Sequence, residues 1–170
     1  MSTRLELPDL LTRTIAELER IGANDEALAV LRDGRGIGKI RTKPFMVRTG
    51  SAWRLGVVLL DRTGQLYATG EITRAIEPQV AVTNRSAEAE QKREYRRAAA
   101  RGSFHTGETI NHGFMPIDVS IEALRAGDGP LSLDDSDDDE SSTVLVRLPS
   151  ASRIPLERYL ADRVSLFDLD

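Results

Sequence analysis

The sequence contains no cysteine, so disulfides, thiolate metal sites and thiol nucleophiles are excluded. No run approaches the ~18 apolar residues that a membrane-spanning helix requires. Aromatic residues make up only 5% of the chain, which leaves no evident stacking platform for single strands, and nucleic-acid binding is not expected. Histidine occurs twice, at His105 and His112, so imidazole chemistry is confined to one short stretch. Lysine occurs only at Lys39, Lys43 and Lys92; the other 20 of the 23 basic residues are arginine, a bias that reads as genome composition and not as mechanism. Met1 to Leu11 lacks the charged, then apolar, then small order of a secretory leader. A bacterial cytoplasmic protein without membrane contact is therefore expected.

The 170 residues, 40% hydrophobic and 29% charged, suit one domain with one sizeable core. The net charge of -4 is unevenly spread. Six acidic residues stand in one run, Asp134, Asp135, Asp137, Asp138, Asp139 and Glu140; without them 23 basic residues face 21 acidic ones and the balance becomes +2. Their mutual repulsion predicts a flexible loop over about 134–142. Basic residues gather in Arg32–Arg48 and Lys92–Arg101.

Leu11, Ile15 and Leu18 follow helical spacing, and Asn24 can cap a second helix through Leu28 and Leu31, so an N-terminal αα-hairpin is expected over about 8–33. Leu55 to Leu60 is a continuous apolar run and reads as a central strand. Asp61-Arg62-Thr63-Gly64 reads as its hairpin turn, because Asp accepts backbone hydrogen bonds and Gly takes positive φ. Leu66 to Thr73 alternates as the returning strand of a hairpin over Trp53 to Ile76, and Gly56 and Gly70 mark places of close approach. Ser86 should cap a helix to about Arg101, with a narrow stripe of Tyr95, Ala98 and Ala99. Further strands are expected at Phe114–Val119, Leu131–Leu133 and Thr143–Leu148, a short helix after Ser120, and a closing helix with Leu156, Leu160 and Val164 on one face. The fold class is α+β: a mostly antiparallel sheet with a central hairpin, covered by the N-terminal helix pair and the C-terminal helix.

The stretch from Ser103 to Gly113 shows no convincing period and reads as a loop rich in chemistry. His105, Glu108, Asn111 and His112 are its ligand-binding candidates. His105, Glu108 and His112 carry donor types suited to zinc, although their spacing matches no established zinc motif. A second candidate is anionic: Arg35 and Lys39 in Gly34-Arg35-Gly36-Ile37-Gly38-Lys39, with Arg93, Arg97 and Arg101 recurring every four residues on a helix. The Walker pattern fails there, because Ile40 follows Lys39 where Ser or Thr should hold magnesium. The acidic run fails as a calcium loop: Glu140 stands where the sharp turn needs Gly, and Val146 where the last carboxylate belongs.

Ala52-Trp53-Arg54-Leu55-Gly56-Val57-Val58-Leu59-Leu60-Asp61, with Leu66-Tyr67-Ala68-Thr69-Gly70, Arg93-Glu94-Tyr95-Arg96, Pro116-Ile117-Asp118 and Tyr159-Leu160-Ala161-Asp162-Arg163-Val164, resembles a family of short actinobacterial proteins of uncharacterised activity. Some members carry a glutaminase label. Serine-dependent glutaminases use a Ser-x-x-Lys nucleophile motif, and no Ser in this chain has Lys three residues later. The resemblance therefore transfers no catalytic residue. A non-catalytic binding or interaction protein, with a homodimer as one form, is the first expectation. A small hydrolase or small-molecule-binding domain using the 103–113 loop is the second. No cofactor is expected in either case.

Overall fold

The computed structural model describes residues 7–34, 36, 42–78, 86–134 and 142–167. Along the chain, α1 (Leu7–Arg20), β1 (Glu26–Arg32), β2 (Phe45–Leu55), β3 (Val58–Leu60), β4 (Leu66–Ala68), β5 (Glu71–Arg74) and α2 (Ala87–Ala100) come first. Next are β6 (Thr109–His112), β7 (Met115–Pro116), α3 (Ile121–Ala126), β8 (Leu131–Asp134), β9 (Thr143–Arg147), β10 (Arg153–Pro155) and α4 (Leu156–Phe167). This is an α+β fold, and among the described strand pairs only β1–β6 is parallel. The chain forms two compact units: Met1–Asn24, Trp53–Thr69 and Met115–Asp170 in one, Asp25–Ala52 and Gly70–Phe114 in the other. The acidic loop, apart from Asp134 and Ser142 at its ends, and the candidates Arg35 and Lys39 lie outside the described residues.

In the first unit, the last residues of β2 pair with β3, β3 with β4, and β4 with β7, all antiparallel. A separate antiparallel sheet runs β10-β9-β8. Leu55 faces Val58, so the apolar run is not one strand: the chain reverses at Gly56-Val57. Continuous apolarity misled here because both arms of this tight corner are buried, with Leu55, Val58, Leu59 and Leu60 all fully enclosed. The corner is held from α4. Tyr159 Oη donates to Leu55 O at 2.9 Å and accepts from Val57 N at 2.8 Å. Gly56 adopts φ +68°, and a Cβ there would lie 2.1 Å from Tyr159 Oη. Glycine is needed on both counts.

The next turn forms as its residues require. Leu60 faces Leu66, Gly64 N donates to Asp61 O, and Gly64 takes φ +86°. Asp61 accepts from Thr63 N, Thr63 Oγ1 and Gln65 N through one carboxylate oxygen and from Tyr67 Oη through the other. Partial burial pushes the Asp61 carboxyl up, but these donors outweigh it and hold the group below its ordinary 3.8. Leu7, Leu11 and Leu18 of α1 join Leu156, Leu160 and Val164 of α4 in the core of this unit, around Trp53. The strand expected over Phe114–Val119 shortens to β7, beyond which Ile117 N still donates to Leu66 O at 2.9 Å.

In the second unit the strand order is β5-β6-β1, followed by the first part of β2. The expected second helix of an N-terminal pair is instead strand β1. Ala27, Leu28 and Ala29 are consecutive and at most 3% exposed, which a strand covered on both faces permits and a surface helix does not. Pairing to β6 on one side and β2 on the other settles the competition that Ala and Leu propensity alone leaves to the helix. Helix α2 forms as expected, with Ser86 Oγ accepting from Ala89 N. It packs through Ala98 and Ala99 onto Ala27, Ala29, Met46 and Ile110.

Tyr159→Phe leaves the Leu55 carbonyl and Val57 amide without their buried partner, and is expected to cost about 1–3 kcal/mol in urea denaturation. Gly56→Ala should cost more than Gly64→Ala, which meets nothing within 4 Å and should lose only the left-handed backbone preference of about 1–2 kcal/mol. Equal losses for the two glycine variants would contradict the packing of Tyr159 against the corner.

Candidate functional site

Thr109 to His112 is a strand, not part of a loop, and this fixes where the four candidates of the 103–113 stretch point. Its register is Glu71↔His112, Ile72↔Asn111, Thr73↔Ile110 and Arg74↔Thr109. Adjacent strand residues face opposite sides, so Asn111 and His112 cannot line one surface. Asn111 is fully buried and donates through Nδ2 to Glu26 Oε2 at 2.7 Å. His112 is 5% exposed, with its ring 4.4 Å from that of Tyr95 of α2. His105 is exposed. Glu108 accepts from His105 N at 2.9 Å and pairs with Arg48, whose guanidinium also lies over the Phe104 ring. Burial pushes the Glu108 carboxyl up, and the hydrogen bonds from Arg48 and from the His105 backbone bring it below its usual 4.5. Glu108 thus closes the turn before β6. Among the described residues no three His, Asp or Glu side chains stand close enough to hold a metal ion.

The arginine stripe of α2 is occupied by the helix's own carboxylates. Arg93 pairs with Glu90 at 3.0 Å, and Arg97 pairs with Glu90 at 3.1 Å and with Glu94. Arg101 Nε donates to Pro44 O at 2.7 Å. The signal for this was in the sequence: Glu90 and Glu94 precede Arg93 and Arg97 by three residues, which places them side by side on a helix.

A different set of cations lines a cleft. Arg74 of β5 and Lys92 and Arg96 of α2 surround a cleft of about 240 Å³ that is also lined by Glu71, Ile72, Thr73 and Tyr95. Lys92 Nζ pairs with Glu88 at 2.6 Å across the exposed helix surface, a contact that solvent screens and that a ligand can displace. The Glu88 hydrogen bond raises the Lys92 pKa, with a smaller contribution from Glu71, so the ammonium stays charged. Arg74 and Arg96 form no ion pair among the described residues. Lys92 and Arg96 thus stand over the face of β5 that carries Glu71 and Thr73, while the Arg74 side chain, like that of Ile72, turns to the other face. Thr73 of its lining is buried, and Gly70, just before β5, admits the His112–Gly113 backbone so closely that a Cβ would lie 2.2 Å from His112 O.

His112 stands next to this cleft as the neighbour of Glu71 and the support of Tyr95. Its Nε2 is buried and has no hydrogen-bond partner. Burial holds the imidazole below its ordinary 6.5, and the Glu71 carboxylate opposes that shift only in part. The neutral ring is the form that suits an apolar contact with Tyr95.

A cavity of about 520 Å³ in the first unit is lined by Leu7, Leu11 and Ile15 of α1, the turn Arg62-Thr63-Gly64, and Val119. Its one charged group, Arg62, stacks on Trp53 and pairs with Glu19. It offers apolar volume but little chemistry. No helix among the described residues is long and apolar enough to cross a membrane. Comparison with protein-family models, curated proteins and solved structures finds no match to this chain.

The depressed His112 pKa has a testable sign. As pH falls through about 6.5 the unfolded chain takes up a proton before the folded chain does, so stability present above that pH is lost below it. The urea midpoint should fall between about pH 7.5 and 5.5, and His112→Phe, which keeps the ring contact, should remove most of that slope. An unchanged slope in the variant would show that His112 titrates freely.

Proposed function

We propose that the chain is a non-catalytic binding protein whose ligand is anionic and occupies the cleft between β5 and α2. The observation that carries this reading is the cleft in which Lys92 and Arg96 of α2 stand over β5, with Arg74 at its edge and Glu71 as its one lining carboxylate. Like charges at close quarters repel, and the arrangement becomes favourable when a ligand supplies the opposite charge. Tyr95, held from beneath by His112, gives the cleft an aromatic wall against which an acyl or aliphatic part of a ligand can rest. No group in the cleft is placed as a nucleophile beside a general base, which favours recognition over turnover. The hydrolase alternative needs His105, Glu108 and His112 in one pocket. An exposed His105 and a Glu108 engaged with Arg48 do not supply that arrangement.

Backbone amide NMR with a soluble glutamate-valine alternating peptide as the probe tests the reading. Shifts should be confined to Glu71–Arg74 and Lys92–Arg96, and affinity should fall as ionic strength rises past about 0.15 M, where charges more than ~8 Å apart are screened. Replacing Arg74, Lys92 and Arg96 together with Gln should weaken binding by roughly tenfold or more, from up to ~1 kcal/mol per exposed contact. Arg158→Gln, an exposed position in the other unit, should leave it unchanged. Shifts elsewhere, or full affinity in the triple variant, would contradict the assignment.

A further inference from the structure

We infer that the ligand of this cleft is an extended acidic segment of a partner protein, bound as an added strand along the free edge of β5; this rests on the anion-binding reading above. β5 ends the strand order of its unit, and among the described residues no strand pairs with its outer side. The phase of its hydrogen bonding follows from one contact: Ala75 N donates to Glu108 O at 3.1 Å. In an antiparallel ladder the hydrogen-bonded positions alternate, so Thr73 and Glu71 also turn their backbone groups toward β6. The amide and carbonyl of Ile72 therefore point outward, as does the amide of Arg74. The Arg74 carbonyl accepts from Ile76 N at 2.8 Å, which closes the edge at that end and centres the open pair on Ile72.

The cleft lies along this edge. Four consecutive residues, Glu71 to Arg74, line it, as an edge-on backbone does and as one face of a strand cannot. Helix α2 stands on the far wall with Lys92, Tyr95 and Arg96. A strand laid into the cleft completes the ladder at Ile72 and presents alternate side chains to two surfaces. Those on the helix side meet Lys92 and Arg96, which selects carboxylates. Those on the other side lie beside Ile72, which is 47% exposed, and select apolar residues. Charge complementarity thus specifies a segment that alternates acidic and apolar residues, such as glutamate with valine. The flanking charges Glu71 and Arg74, and a length of four residues, keep the edge from pairing with unrelated strands.

Binding of a glutamate-valine alternating peptide is compared with binding of the same peptide N-methylated at alternate residues, which keeps its charge and removes its donors to the edge. The unmodified peptide should bind and slow hydrogen exchange at the Ile72 amide, and the methylated one should bind at least about tenfold more weakly. On the protein side, Ile72→Pro removes the outward donor without touching the bonds to β6, and should give a similar loss, whereas Ile72→Val should not. Equal, salt-sensitive binding of both peptides would overturn strand addition while leaving the anion site standing. Binding of neither would overturn the anion site as well. A single-stranded oligonucleotide that displaces the peptide and binds more tightly, or dimerisation of the chain through β5 in sedimentation, would replace the partner protein as occupant and overturn the inference.

Discussion

The close packing of α2 on its sheet is the constraint from which the candidate site follows. Ala98 and Ala99 meet Ala27 and Ala29, and side chains this small let the helix axis come near the strands. With the C-terminal half of α2 seated in this way, Tyr95 comes down onto His112, and Lys92 and Arg96 stand at the rim over β5. A larger residue at position 98 or 99 would lift the helix and widen the cleft. Core packing and the charge at the cleft are therefore both set by α2, whose stripe of Tyr95, Ala98 and Ala99 lies beside Lys92 and Arg96.

The first unit rests on a different kind of constraint. Two chain reversals, at Gly56-Val57 and at Asp61–Gly64, fold a single apolar run into antiparallel strands, and each is closed by a side-chain oxygen: Tyr159 Oη at the first, the Asp61 carboxylate at the second. The flanking Leu55 and Val58 are buried, and the backbone groups that the ladder leaves over at their corner find their partner in the Tyr159 hydroxyl. The Asp61 turn is instead exposed at Arg62 and Thr63, and its carboxylate sets the turn's shape. That Tyr159 comes from α4 ties the end of the chain to its middle.

Much of this fold was legible in the sequence wherever a local device fixes it. Ser86 and Ser120 cap α2 and α3, Asp61 and Gly64 build their turn, and Leu156, Leu160 and Val164 line the buried face of α4. The misreadings fall where tertiary pairing decides. Glu26 to Arg32 has helix-forming residues and becomes a strand only because β6 and β2 flank it. Leu55 to Leu60 gives no alternation because it is a corner, and Gly56 was its one visible mark. The candidate site was legible only in part. Position in one helix made Lys92, Tyr95 and Arg96 neighbours, but nothing local showed that they face β5, whereas Arg93 and Arg97 drew attention by their regular spacing although Glu90 and Glu94 already answer them. Asn111 and His112 drew attention through residue type, and the strand that separates them was hidden in a four-residue segment too short to show a period.

A crystal structure of the chain with an alternating acidic and apolar peptide would test the central claim most directly. Continuous extended density is expected beside β5, hydrogen-bonded to Ile72, with carboxylates at Lys92 and Arg96. Peptide density seated in the apolar cavity beside α1, with the β5 edge bare, would contradict it.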